Sequence, residues 1–234
     1  MRLVEVTHAC RKDPLTTDDI GTALDVSHRR ARETILEALR INLLKRVEPS
    51  EEGDEVEFYH TTSVGDSFLD AVTQEDWAKV SDILANRSPH YGAFLDAVQN
   101  LDDSANGTLD VLLGELEAGS EFTPYTYNQT SVEVVGDWAE RLGTIQRNAF
   151  TGTYYPVDTD SVPSNFPWVL LAIFDELEET TGGGMRQRYL SIPKLREYTC
   201  ERLSCPRSTF DEALVDLAGE NVGKLELSGA PVDT

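Results

Sequence analysis

Residues 16–60 constrain this chain most, because the apolar residues there change period from helical to alternating within one short stretch. Thr16 or Thr17 offers a hydroxyl oxygen to otherwise orphaned helix amides. Asp18 and Asp19 follow in the first turn, where the helix dipole favours negative charge. Ile20, Ala23 and Leu24 share one face, Asp25-Val26 interrupts the run, and Ser27 offers a second cap. From Ser27 a second helix places Ala31, Ile35, Ala38 and Leu39 on a buried stripe. Arg29, Glu33, Glu37 and Arg40 project the other way, with Arg30 and Arg32 on the flanks. Leu43 to Val47 then alternates as a strand, Pro49 to Asp54 is a polar loop with Gly53, and Val56 to His60 returns as the partner strand. Two short helices meet across a tight turn and are closed by a hairpin.

That order, with Leu43-Leu44 leading through the basic pair Lys45-Arg46 to Val47, resembles the winged helix-turn-helix superfamily. The resemblance implies small three-helix modules, each closed by a wing hairpin. Its second helix, from Ser27, would be the one that enters the DNA major groove. Two later stretches repeat the outline. In the second, Leu109 to Leu116 and Val132 to Leu142 supply the helices, and Thr144 to Arg147 with Thr153 to Val157 supply the hairpin. In the third, Trp168 to Leu177, Ile192 to Leu203 and a helix from Ser208 through Leu217 follow in turn, with Gly223 to Leu227 as a short wing strand. Between the first and second copies, Ser63 to Asn100 reads as helical and is split by Pro89, a spacer or a dimerising pair. The expected fold is mainly α with small β-hairpins (α+β): a winged helix at 1–62, a helical spacer at 63–104, and winged-helix-like units at 105–160 and 161–234.

The charge balance is the second strong signal, with 42 acidic against 20 basic residues and a formal net charge of -22. Only five of the cations are lysine: Lys12, Lys45, Lys79, Lys194 and Lys224. The acid is dispersed along the chain. Dispersed acid with scarce lysine resembles the proteins of haloarchaea, in which molar salt screens self-repulsion over about 3 Å. The competing reading is DNA mimicry, which calls for acid concentrated on one face.

Strong acidity cuts against nucleic-acid binding, because phosphate neutralisation supplies much of the affinity and weakens as salt rises. What survives is local. Ser27, His28, Arg29, Arg30 and Arg32 crowd the start of the first unit's second helix, and Lys45 and Arg46 begin its wing. Arginine can pair bidentately with guanine or phosphate. Equally, Arg29 to Arg32 can pair with Asp25, Glu33 and neighbouring carboxylates on a solvated face. Arg207, Arg202 and Lys194 stand at comparable places in the third unit. The second unit instead offers Glu133, Asp137 and Glu140, which suits protein contact better than DNA.

Other chemistry is thin. His8, Cys10, Cys200 and Cys205 lack the spacing of a zinc knuckle, so no metal is expected, and reduced thiols are the default. Gly182-Gly183-Gly184 lacks the Gly-Lys-Ser/Thr ending of a phosphate loop, and no cofactor is expected. His28, His60 and His90 have no nucleophile or carboxylate at a recognisable spacing, so no enzyme activity is expected. Tyr125, Tyr127, Tyr154 and Tyr155 either stack single-stranded bases or pack the core. Trp77, Trp138 and Trp168 read as core anchors. No apolar run approaches the roughly 20 residues of a membrane span, and a cytoplasmic protein is expected. Two functions are compatible with these features. One is a non-enzymatic transcriptional regulator or DNA-recruiting subunit bound to double-stranded DNA. The other is an adaptor that binds protein partners, or a second copy of itself, through 63–104 and 105–160; chains of this outline occur in mobile-element and host-defence gene sets.

Overall fold

A computed structural model describes residues 2–47, 56–101, 107–120, 125–180 and 190–228. Among them are eleven helices and two two-stranded antiparallel hairpins, so the protein is mainly α with small β elements. It divides into two compact units, residues 1–96 with 116–127 and residues 97–115 with 128–234.

In the first unit α1 (Arg2–Ala9) precedes α2 (Thr17–Ala23), α3 (His28–Arg40), β1 (Leu44–Val47) and β2 (Phe58–Thr61). These are followed by α4 (Ser63–Thr73), α5 (Trp77–Arg87) and most of α6 (Pro89–Gln99). Local chemistry sets the ends of α2 and α3. Thr16 and Asp19 cap α2 reciprocally, with Asp19 N to Thr16 Oγ1 at 3.2 Å and Thr16 N to Asp19 Oδ2 at 3.0 Å. Asp25 turns the chain at φ 50, a left-handed conformation that aspartate tolerates, and Ser27 caps α3. Gly21 lets the two helices close, since a Cβ there would lie 3.3 Å from the Val26 carbonyl oxygen.

The hairpin pairs Leu44 with Thr61 through Val47 with Phe58. Leu15, just before α2, adds a third pairing to it through two backbone bonds with Tyr59, at 3.0 and 2.9 Å. One edge of the small sheet is therefore covered. α1, which the sequence reading did not anticipate, buries Val6, and its end is held where Thr61 donates from Oγ1 to Thr7 O at 2.6 Å and from N to Cys10 O at 3.1 Å.

Ser63 to Asn100 is not a split pair of helices but three. Glu75 at φ 57 breaks the first, and the Asp76 side chain caps the next by accepting from Lys79 N at 3.1 Å. Nor is α4 a spacer. Phe68, Leu69 and Ala71 are buried where α4 packs on α1, β2 and α5, so its apolar face completes the core of the first unit. Its first turn rests on the end of α3: Thr62 donates to Asn42 O at 2.6 Å, and Gly65 faces the Leu43 carbonyl, Thr61 and Thr7.

The second unit holds the start of α7 (Leu109–Gly119), then α8 (Gln129–Arg141), β3 (Ile145–Arg147) and β4 (Tyr154–Pro156). After these come α9 (Phe166–Thr180), α10 (Ile192–Leu203) and α11 (Arg207–Glu220). Asn128 and Ser131 form a capping box on α8. The hairpin pairs Ile145 with Pro156 and Arg147 with Tyr154. Tyr154 N donates to Gly107 O at 2.8 Å, so the residue just ahead of a helix again meets the second hairpin strand, as Leu15 does in the first unit.

Around α9, α10 and α11 a core gathers Tyr155, Phe166, Leu170, Ile173, Leu177, Leu195, Cys200, Cys205, Phe210 and Leu214. The Phe166 and Phe210 rings meet edge to face with centroids 6.0 Å apart.

Two expectations fail here. Gly223 to Leu227 is not a wing strand: Lys224 N and Leu225 N both bond the Asn221 carbonyl, which folds this stretch into turns. Trp168 is not a core anchor but 74% exposed, because Phe166, Leu170, Ile173 and Leu177 form the buried stripe of α9 and leave position 168 on the far side. Trp77 and Trp138 are half-buried. The Pro49 to Asp54 loop and Gly182 to Gly184 lie outside the described residues.

Candidate nucleic-acid interface

The positive cluster expected from the sequence stands on α3. Burying Ala31, Ile35 and Ala38 turns His28, Arg29, Arg30, Arg32, Glu33, Leu36 and Arg40 to solvent. Four arginines against two glutamates make this helix locally basic within a chain of net charge -22. Ser27 is committed to the cap, accepting from Arg30 N at 3.4 Å. His28 Nδ1 lies 2.8 Å from Asp18 Oδ1, Arg29 Nε 3.0 Å from Glu33 Oε1, and the Arg40 guanidinium 2.7 Å from Glu37 Oε1. Arg30 and Arg32 make no ion pair among the described residues. On the hairpin, Lys45 is exposed opposite His60, and Arg46 Nε is 3.4 Å from Glu57 Oε1.

These pairs do not sequester the arginines. The Arg29 side chain is 89% exposed, and an exposed i,i+4 pair contributes about 0.3–0.5 kcal/mol, so a phosphate or guanine edge competes for it easily. Of the pairings with neighbouring carboxylates expected on a solvated face, the one between Arg29 and Glu33 is present, and its exposure leaves Arg29 able to exchange partners. The sequence reading did not single out Leu36, which is 49% exposed in the middle of this face.

Arg207 takes a different place from the one expected of it. Its guanidinium donates to Glu197 Oε1 at 2.7 Å, Glu197 Oε2 at 2.9 Å, Glu140 Oε1 at 3.1 Å and the Arg147 carbonyl at 2.7 Å. Glu197 is itself buried and accepts from Ala149 N at 3.1 Å, while buried Asn148 donates to Glu201 at 2.5 Å. Arg207 therefore braces α8, α10 and the second hairpin instead of facing a ligand. Arg202 pairs with Glu176 at 2.9 Å, and Lys194 lies over the Tyr198 ring. No sequence spacing announced this brace, since its carboxylates stand 10 and 67 residues from Arg207.

Burial alone would raise the Glu197 carboxyl. Hydrogen bonds from Arg207 and the Ala149 amide, with the charges of Arg207 and Arg196, outweigh it and hold the group below the ordinary glutamate range. A folded value below the unfolded one means a stabilisation present above about pH 4.3 and lost as pH falls through the folded value. Glu197→Gln is accordingly expected to lower the urea midpoint at neutral pH. The gap from wild type should close as pH falls below the ordinary glutamate value of about 4.3; a gap independent of pH would refute the assignment.

On α8 the exposed charges are mainly acidic. Glu133 accepts from Gln129 at 3.1 Å, Asp137 pairs with Arg141 at 3.4 Å, and Val134 is exposed between them. Tyr125 and Tyr127 hold the His90 ring in the first unit, and Tyr154 and Tyr155 are buried in the second. His60 Nδ1 is taken by the Thr61 carbonyl at 2.8 Å. Among the described residues no group of three or more His, Cys, Asp and Glu is placed to hold a metal ion, and no helix is long and apolar enough to cross a membrane. No family model and no curated protein sequence matches this chain.

Proposed function

We propose that this chain is a non-enzymatic DNA-binding protein, a transcriptional regulator or a subunit that recruits an assembly to DNA, and that residues 1–62 are its winged helix-turn-helix reader. The observation that carries the reading is the exposed basic face of α3, with Arg29, Arg30 and Arg32 at its N-terminal end and Lys45 and Arg46 on the adjoining hairpin. The order of elements supports it: a helix, the bridging residue Leu15, two helices across the Asp25 turn, then two strands. α3 meets the major groove through its N-terminal turns, and the hairpin contacts backbone. The Gly107, α7, α8 and β3–β4 arrangement reads as a second winged helix whose acidic α8 faces protein instead of DNA.

The test is selection of bound sequences from a random duplex pool, followed by footprinting, in molar KCl. Wild type is expected to protect a defined site. Arg29→Glu combined with Arg30→Glu and Arg32→Glu should weaken binding about a hundredfold or more, since each lost bidentate contact costs about 1–3 kcal/mol. Circular dichroism should not change, because the three side chains are exposed. If wild type selects no sequence and protects none, the DNA reading fails. The adaptor reading then stands, favoured by the exposed Val134 on α8 and Trp168 on α9; its mark would be a stoichiometric protein partner recovered at native salt.

A further inference from the structure

Cys200 and Cys205 are both 0% exposed, one in the last turn of α10 and the other in the turn before α11. Ser204 at φ 50 reverses the chain between them, and Cys205 N donates to Cys200 O at 3.2 Å, which folds the five-residue step back on itself. The thiols hydrogen-bond to each other, with Cys200 as donor, and the Cys200 sulfur also lies 3.8 Å from the Pro206 carbonyl. The Cys205 N to Cys200 O bond holds the two backbones side by side, and both side chains enter the same buried core. Cys10, the third thiol, is buried in the first unit.

We propose that Cys200 and Cys205 are a reversible oxidation site, closed to an intramolecular disulfide by a peroxide and reopened by a dithiol. The hydrogen bond from Cys200 favours the anionic form of Cys205, which makes Cys205 the attacking sulfur. Its thiolate takes a terminal oxygen of hydrogen peroxide, forming a sulfenic acid and releasing hydroxide, which leaves as water on taking up a proton. The Cys200 sulfur then attacks that sulfenic sulfur, an S–S bond forms, and the second oxygen leaves as water with the Cys200 proton. Both electrons pass to the peroxide. Because neither sulfur touches solvent, the reaction proceeds through brief openings of the α10–α11 turn, and it is slow beside that of an exposed thiol.

The experiment treats the folded, full-length protein with hydrogen peroxide at native salt and reads intact mass and alkylation by iodoacetamide under denaturing conditions. Wild type is expected to lose two hydrogens and retain one alkylatable cysteine, Cys10, and dithiothreitol should restore all three. Cys10→Ser should still close the bond. Cys200→Ser and Cys205→Ser should not, and Cys205→Ser should also lose the sulfenic acid trapped by dimedone. The proposal is overturned if wild type keeps three alkylatable thiols at a peroxide dose that oxidises the same chain unfolded in guanidinium. It is equally overturned if Cys10 enters the bond, or if Cys200→Ser oxidises like wild type.

Discussion

Arg207→Ala is expected to destabilise the protein by about 3 kcal/mol, the cost of taking from a buried carboxylate its hydrogen-bonded counter-ion and leaving it the more distant Arg196, at 3.8 Å. Glu197 supplies that carboxylate, held on both oxygens by the Arg207 guanidinium and buried among α8, α10 and the second hairpin. Removing the guanidinium also strands the Arg147 carbonyl and Glu140. Arg202→Ala is the matched control. Its partner Glu176 is as close, at 2.9 Å, but both side chains are more than half exposed, so the loss should stay below about 1 kcal/mol. Chemical denaturation followed by circular dichroism, at a salt concentration held fixed, distinguishes the two. Equal losses at the two positions would show that Arg207 is an ordinary surface arginine.

Gly65→Ala should cost about 3 kcal/mol in the first unit. A Cβ there would run into the Leu43 carbonyl oxygen and stand 2.7 Å from Thr61 Cγ2, so backbone must move before the side chain fits. The contact matters because α4 completes the core through Phe68 and Leu69, and its first turn is already fixed by the Thr62 cap at 3.0 Å. Gly114 in α7 is the opposite case, with open space where its Cβ would be. Gly114→Ala should therefore raise stability, by up to about 1 kcal/mol, from helix propensity alone. Paired thermal melts read both signs, and a Gly65→Ala protein as stable as wild type would rule out the close approach.

The parts of the fold legible in the sequence are those that local chemistry determines. The Thr16 and Ser27 caps, the Asp25 turn and the three-four spacing of Ala31, Ile35 and Ala38 lie within a turn or two of what they control, and α2, α3 and the hairpin follow from them. α1 depends instead on being covered. Its eight residues are covered by α2, α3, α4 and β2, with Thr61 bonded to its last turn. Trp168 misled for a related reason: an aromatic residue inside an apolar run carries no record of which side its helix turns to the core. Of the candidate site, the α3 cluster was readable because consecutive residues carry it. Arg207 was not, since its purpose is defined by Glu140, Glu197 and the Arg147 carbonyl, which only the tertiary fold assembles.

The Arg207 brace also bears on how such a chain can change over generations. Residues from α8 to α11 look, element by element, like two successive pieces available for separate exchange. A crossover between Val157 and Phe166 would part the guanidinium on α11 from the Glu140 carboxylate and the Arg147 carbonyl that it holds. Shuffling is penalised at that junction, so descendants of this sequence should keep or lose the two pieces together.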